Sequence, residues 1–440
     1  MEEVSIQKVV YGGQGLAELR DGRKVFVWNA LPGETVRVRI VKKKRSYAEA
    51  IAEEVLVASP EREHPREAAY LATSPWQIMT CDAENRYKTA IVDELFTREK
   101  VSLPPAIRSQ SIRGAMATAN DASHRPSAIH DEREWRYRNK MEYSFWGDDS
   151  GLHLALHKRG SHTKQVVHGS ELAMVALDEG AQSVLHELRK MDIRAASLKT
   201  IIVRCSQNGD VVVSLYTKLE EFPKILQPKN VKGVRVYHSN PKSPASVPTR
   251  LLYELGDATL TDKLLGKVFH YDVESFFQVN LPMYEKVLAR IKEYTEGWGN
   301  MVSLTDMYAG VGSIGLSVAR QSAQLIELDS ATAAMARVNA SESALDVEVV
   351  EASSENALSY IVGGQPVVFD PPRAGLHTKV VTRCLEVLPP YIVYLSCNPA
   401  TQARDVALLQ QKYDVVFIET YNFFPRTPHI ETLVILRIKP

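Results

Sequence analysis

A strand, a glycine turn and a helix between residues 302 and 320 constrain this chain more than any other stretch. The apolar run Val302 to Thr305 enters Asp306-Met307-Tyr308-Ala309-Gly310-Val311-Gly312-Ser313-Ile314-Gly315, and a helix continues to about Arg320. Glycines between a strand and a helix let a ligand approach the backbone and the helix N-terminus. Leu325-Ile326-Glu327 ends a second strand on another acid, a position suited to ribose hydroxyls in a doubly wound sheet. The same strand, turn and helix rhythm continues to the C-terminus and predicts an α/β Rossmann-like domain over 271–440.

Three later segments each bring one reactive side chain to an element boundary. Val367-Val368-Phe369 leads to Asp370 and a Pro371-Pro372-Arg373 turn. Tyr391 to Tyr394 reads as a buried strand that delivers Cys397 to its tip, where Asn398-Pro399 break the ladder. Phe424-Pro425-Arg426-Thr427-Pro428-His429-Ile430-Glu431 precedes the apolar run Thr432 to Leu436. A free cysteine is most often a small buried hydrophobe. Asp370 and Glu431 in parallel positions on neighbouring segments turn the reading of Cys397 toward chemistry. The leading Asp306 suits an S-adenosylmethionine site better than a nicotinamide one, although Gly310, Gly312 and Gly315 also satisfy Gly-x-Gly-x-x-Gly.

Residues 1–58 alternate β-formers with turn glycines. Gly12-Gly13-Gln14-Gly15, the Asp21-Gly22 hairpin signal and Pro32-Gly33 separate short strands, which predicts a small OB-type β-barrel. Lys42-Lys43-Lys44-Arg45 follows Val36 to Ile40 as a basic loop near Tyr47, a combination that suits an RNA backbone and a stacked base. The net charge of zero gives no global case for nucleic acid, so any such case is local. Residues 59–270 read as a mixed α+β middle module, with a helix from about Cys81 to Lys100, a connecting segment at 104–126 and antiparallel strands around 152–216. Within it, Arg133 to Lys140 interleaves bases with aromatics, as an edge strand or a surface facing phosphates does. The four cysteines, Cys81, Cys205, Cys384 and Cys397, contain no CxxC, so neither a disulfide framework nor a cysteine-rich metal site is indicated. No membrane span and no signal-peptide core stand out, and a monomeric cytoplasmic protein is expected.

Taken together, several motifs resemble the RNA uracil-5-methyltransferases. They are Phe277-Gln278-Val279-Asn280, Asp306-x-Tyr308-x-Gly310-x-Gly312, Asp370-Pro371-Pro372-Arg373-x-Gly375, Ser396-Cys397-Asn398-Pro399-x-Thr401 and Phe424-Pro425-x-Thr427-x-His429-x-Glu431. The N-terminal pattern is similar to the TRAM domain, an RNA-binding barrel. The resemblance implies a class I methyltransferase domain and S-adenosylmethionine-dependent methylation of uridine carbon 5. It further implies Cys397 as nucleophile, Glu431 as base, Asp370 at the junction of donor and uracil, and Gln278, Tyr308, Gly310 and Glu327 at the donor. The RNA partner expected on this basis is 23S ribosomal RNA, with transfer RNA as the alternative.

Many members of that family hold an iron–sulfur cluster on four cysteines. The matching stretch, His64-Pro65 and Leu71 to Gln77 with Ser170, contains none, so no cluster is expected. Two rival readings need no thiol. One is an amino-group methyltransferase, because Asp370-Pro371-Pro372-Arg373 resembles its Asn/Asp-Pro-Pro-aromatic motif. The other is a non-catalytic RNA-binding protein with a vestigial methyltransferase domain.

Overall fold

The computed structural model describes residues 2–103, 133–161, 163–244 and 246–440. The expected connecting segment at 104–126 lies outside the described residues.

Strands β1 (Glu2–Ser5), β2 (Lys8–Val9), β3 (Gly15–Glu18), β4 (Lys24–Trp28), β5 (Thr35–Lys43) and β6 (Tyr47–Val57) form one sheet in the order β1-β5-β6-β4-β3-β2. Its two edge strands are joined by only Ile6 and Gln7, whose N–H groups donate to Glu34 O and Leu16 O, so the sheet closes on itself. Small inward residues, among them Ala17, Val25, Val38, Ala48 and Ala50, fill its core. The basic stretch is not wholly a loop. β5 continues through Lys43 because Lys42 pairs across the ladder with Glu49, Nζ to Oε1 at 3.1 Å.

The middle sheet runs β13-β12-β11-β10-β7-β8-β9, with β7 (Lys140–Asp148), β8 (Gly151–His157), β9 (Lys164–Val166), β10 (Leu198–Cys205), β11 (Val211–Thr217), β12 (Gly233–His238) and β13 (Arg250–Gly256). It is antiparallel except for the parallel pair β11–β12. β7 lies inside this sheet rather than at an edge.

The C-terminal sheet uses β16 (Ser303–Asp306), β17 (Ser322–Glu327), β18 (Asp346–Glu351), β19 (Val367–Phe369), β20 (Tyr391–Ser396), β21 (Tyr413–Tyr421) and β22 (Glu431–Ile438). Their order is β18-β17-β16-β19-β20-β22-β21, the class I methyltransferase arrangement, with β22 inserted antiparallel between β20 and β21. Both faces are covered, so side chains of one strand alternate between two cores. Val393 and Leu395 face one, Ile392 and Tyr394 the other.

Packing departs from the expected boundaries at 59 and 271 in two places. Helix α1 (Cys81–Arg98) buries Ile91, Val92, Leu95 and Phe96 in a core shared with Val406 and Leu409 of the C-terminal domain. The hairpin β14 (Thr259–Leu264) and β15 (Lys267–Asp272) buries Leu260, Leu264, Phe269 and Tyr271 in the core on the opposite face of the same sheet. A helix and an isolated hairpin cannot bury an apolar face alone, and the large sheet supplies the partner.

Candidate active site

The parallel strands all end at one edge of the C-terminal sheet. Tyr308 and Gly310 follow β16, Glu327 ends β17, Asp370 follows β19 and Cys397 follows β20. β22 runs the other way, so its first residue, Glu431, comes to the same edge. Gln278 is carried there by the segment between β15 and the helix α3 (Leu281–Glu296). All seven residues line one cavity of about 1040 Å³, at the place where an open α/β sheet binds ligands.

Local chemistry shapes each wall. Asp306 is fully buried, and its Oδ2 accepts from Gly315 N at 2.9 Å, anchoring the glycine turn. Glu327 accepts from Gly310 N through Oε2 at 2.9 Å and from Asp329 N through Oε1 at 2.8 Å. Gly310 has φ +56, and a Cβ there would meet nothing closer than 3.7 Å, so the space beside it is open. Tyr308 accepts from Ser354 Oγ at 2.8 Å. The Phe277-Gln278 segment is held from behind by Arg204, a wholly buried guanidinium that donates to the carbonyls of Ser275 and Phe277.

The electrostatics of Glu431, Asp370 and Cys397 are unusual. Burial, then the Asp370 charge, pushes the Glu431 carboxyl well above its usual range, with Arg373 opposing. Glu431 is 3% exposed, and its Oε2 has no hydrogen-bond partner among the described residues. Burial, reinforced by Asp306, pushes Asp370 up to about 7. Burial together with Glu431 and Asp370 pushes the Cys397 thiol up to about 12. Three groups that all resist negative charge form a cavity wall that favours a cation.

Sequence reading missed the supports. Lys88, buried in α1, pairs with Glu84 at 2.7 Å and donates to Asn422 Oδ1 at 2.6 Å and to Phe424 O at 3.1 Å. Glu84 also accepts from Asn422 Nδ2 and Arg426 N, so α1 shapes the loop that leads to Glu431. No local signal marks such partners, which lie more than 330 residues apart. The end of the Arg133 to Lys140 stretch also changes meaning. Tyr137 donates to Pro425 O, Asn139 to Gln278 O and Lys140 to Val273 O, so the stretch clasps the two domains together; only Arg138 reaches the cavity.

Two family models match the chain. One, described as a TRAM domain, covers residues 2–52, and the other, tRNA (Uracil-5-)-methyltransferase, covers residues 359–439. The chain thus joins an N-terminal TRAM domain to a C-terminal segment that matches the uracil-5-methyltransferase model. It is accordingly an S-adenosylmethionine-dependent RNA methyltransferase with a TRAM domain. It is 27% identical to an "Uncharacterized RNA methyltransferase" of Thermotoga maritima, over 99% of both chains. It is 28% identical to a protein of the same description from Enterococcus faecalis, over 99% of this chain and 96% of the relative. The fold matches that of Pyrococcus abyssi tRNA (uracil-54, C5)-methyltransferase, solved with S-adenosyl-L-homocysteine, with a TM-score of 0.73 and 21% identity over 99% of this chain and 100% of that one.

The cavity fits the family's donor. Each oxygen of Glu327 accepts one hydrogen bond and keeps a lone pair for a hydroxyl, Gly310 leaves room beside it, and the carboxyl-rich end suits a sulfonium. An iron–sulfur cluster does not fit the residues in its expected place. Gln77 donates to Glu67 and Ser74, Ser74 to Glu67, and Ser170 to Glu67, so oxygen and amide groups join the segments there. Cys81 accepts from Asn85 and stands apart from them.

Proposed function

We propose that the chain methylates carbon 5 of a specific uridine in RNA through a covalent adduct on Cys397, acting as a cytoplasmic monomer. The observation that carries this reading is the convergence of Cys397, Asp370 and Glu431 on one wall of the donor cavity. Uracil carbon 5 is a poor nucleophile. Cys397, as the thiolate, adds to carbon 6, and the electron pair displaced from the ring double bond becomes an enolate with density on carbon 5. S-adenosylmethionine supplies the methyl group on a positively charged sulfur. A positive charge in this cavity favours the ionised forms of Cys397, Asp370 and Glu431. Glu431, whose burial makes its carboxylate a stronger base than one in water, takes the carbon 5 proton. The ring double bond re-forms and the thiolate leaves. A base in a duplex must flip out to reach the cavity, which suits a chain with a separate RNA-gripping barrel.

The barrel favours ribosomal RNA, 23S in particular, as the substrate. A transfer RNA reading is supported by the end-to-end fold likeness to the Pyrococcus tRNA enzyme. Mass spectrometry of ribosomal and transfer RNA from cells with and without the gene tests both: loss of one 5-methyluridine identifies the substrate, and loss from neither refutes the reading.

A further inference from the structure

The turn between β2 and β3 leaves the barrel and reaches the catalytic edge. Gly13 O accepts from Trp76 Nε1 at 2.9 Å, and a Cβ on Gly13, at φ +95, would lie 2.3 Å from Cβ of Pro428. Only glycine lets the turn seat so closely against the loop that leads to Glu431. The turn presents Tyr11, whose hydroxyl donates to Asn398 Oδ1 at 2.7 Å. Asn398 follows the proposed nucleophile directly and is a node. Its Oδ1 also accepts from Ala400 N and Thr401 N, capping the helix α7 (Pro399–Leu409), while its Nδ2 donates to Arg373 O at 2.7 Å. The turn after β20 and the turn after β19 are thereby tied together and held from above by the barrel.

We propose that Tyr11 is a positioning residue for the methylation: it holds Asn398, and through it Cys397, in the orientation that adds to uracil. The inference rests on the reading of Cys397 as nucleophile. It gives the TRAM barrel a second task, completing the active-site wall, beside gripping RNA. Tyr11 is 41% exposed, so its ring is also available to stack on a base. The hydroxyl separates the two roles, because stacking needs only the ring.

The test uses the full-length protein, S-adenosylmethionine, and ribosomal and transfer RNA transcribed with 5-fluorouridine. A fluorine at carbon 5 cannot leave as a proton, so the adduct accumulates and is read by denaturing electrophoresis. Tyr11→Phe slows adduct formation at saturating RNA by about three- to tenfold, the worth of one hydrogen bond, with RNA and donor affinities and the thermal midpoint unchanged. Gly13→Ala, which pushes the turn off Pro428 while keeping Tyr11, gives the same kinetic defect. A wild-type rate in Tyr11→Phe overturns the proposal alone, and does so even if Tyr11→Ala loses RNA affinity, which would make Tyr11 a stacking platform. No adduct from the wild type overturns the nucleophile reading and this proposal with it.

Discussion

Ser396 pairs with Thr432 as the last register step between β20 and β22, and the next residues outward are Cys397 and Glu431. Opposite positions on antiparallel strands lie about 4.5–5.5 Å apart. The proposed nucleophile and the proposed base, carried by two separate segments of the chain, thus come side by side at the cavity. A parallel β22 would have carried Glu431 to the far edge of the sheet.

The two residues serve different steps, so their variants fail differently. Glu431→Gln leaves addition and methyl transfer intact but strands the carbon 5 proton, and a methylated RNA bound to Cys397 accumulates. Cys397→Ala, Glu431→Gln forms none. Denaturing electrophoresis with mass spectrometry reads both. Normal turnover by Glu431→Gln, or no adduct on an RNA that the wild type methylates, removes Glu431 as the base.

Gly310→Ala weakens S-adenosylmethionine binding. The methyl group enters the open space of the cavity, nearest Phe276 O at 3.7 Å, and a left-handed alanine costs about 1 kcal/mol of local strain. Valine at φ +56 adds β-branching to the strain, so alanine is the cleaner probe of the site. Calorimetry showing unchanged affinity in a folded variant argues against donor binding at this turn.

Donor affinity depends on pH through Asp370. Burial raises its carboxyl from 3.8 to about 7, and a cationic ligand prefers the ionised form. S-adenosylmethionine binding therefore strengthens as pH rises through about 7, whereas the uncharged sulfur of S-adenosylhomocysteine gains less. Stability of the ligand-free protein has the opposite sign. A folded pKa above the unfolded one gives stability that is fully present below 3.8 and lost as pH rises through about 7. Asp370→Asn flattens both profiles. Equal pH dependence for the two ligands in the wild type contradicts the cation-binding role.

Neutralising Lys43, Lys44 and Arg45 lowers RNA affinity and makes log affinity fall less steeply with log salt. The slope shrinks by about 0.7–0.9 for each phosphate the variant no longer neutralises. Lys42 contributes less because Glu49 already pairs with it. Donor affinity stays constant. An unaltered salt slope places the RNA elsewhere on the protein.

Glu84→Ala leaves Lys88 buried without its counter-ion and costs about 3–5 kcal/mol. It also releases Asn422 and Arg426 N, which shape the loop before Glu431. Denaturant unfolding reads the loss, and Glu84→Ala, Lys88→Met recovers part of it.

The residues that line the cavity were legible in the chain because the features that bring them there are local. A strand end, a proline-broken turn and a glycine between strand and helix each follow from a few neighbouring residues, and Cys397, Asp370, Glu431, Gly310 and Glu327 stand on such features. What surrounds them was not legible. Arg204 looks like one more charged residue in a strand, Lys88 like a solvated helix position and Tyr11 like a turn residue, yet each acts through partners 68 to 387 residues away. The stretch Arg133 to Lys140 was legible only in part: Tyr137, Asn139 and Lys140 turn inward, and composition does not say whether a polar side chain meets water or a carbonyl of another domain. Local backbone preference determined where each reactive side chain leaves its element. Only the packing of three sheets against one another decided which buried polar groups hold them there, because burial and long-range hydrogen bonds exist only once distant segments meet.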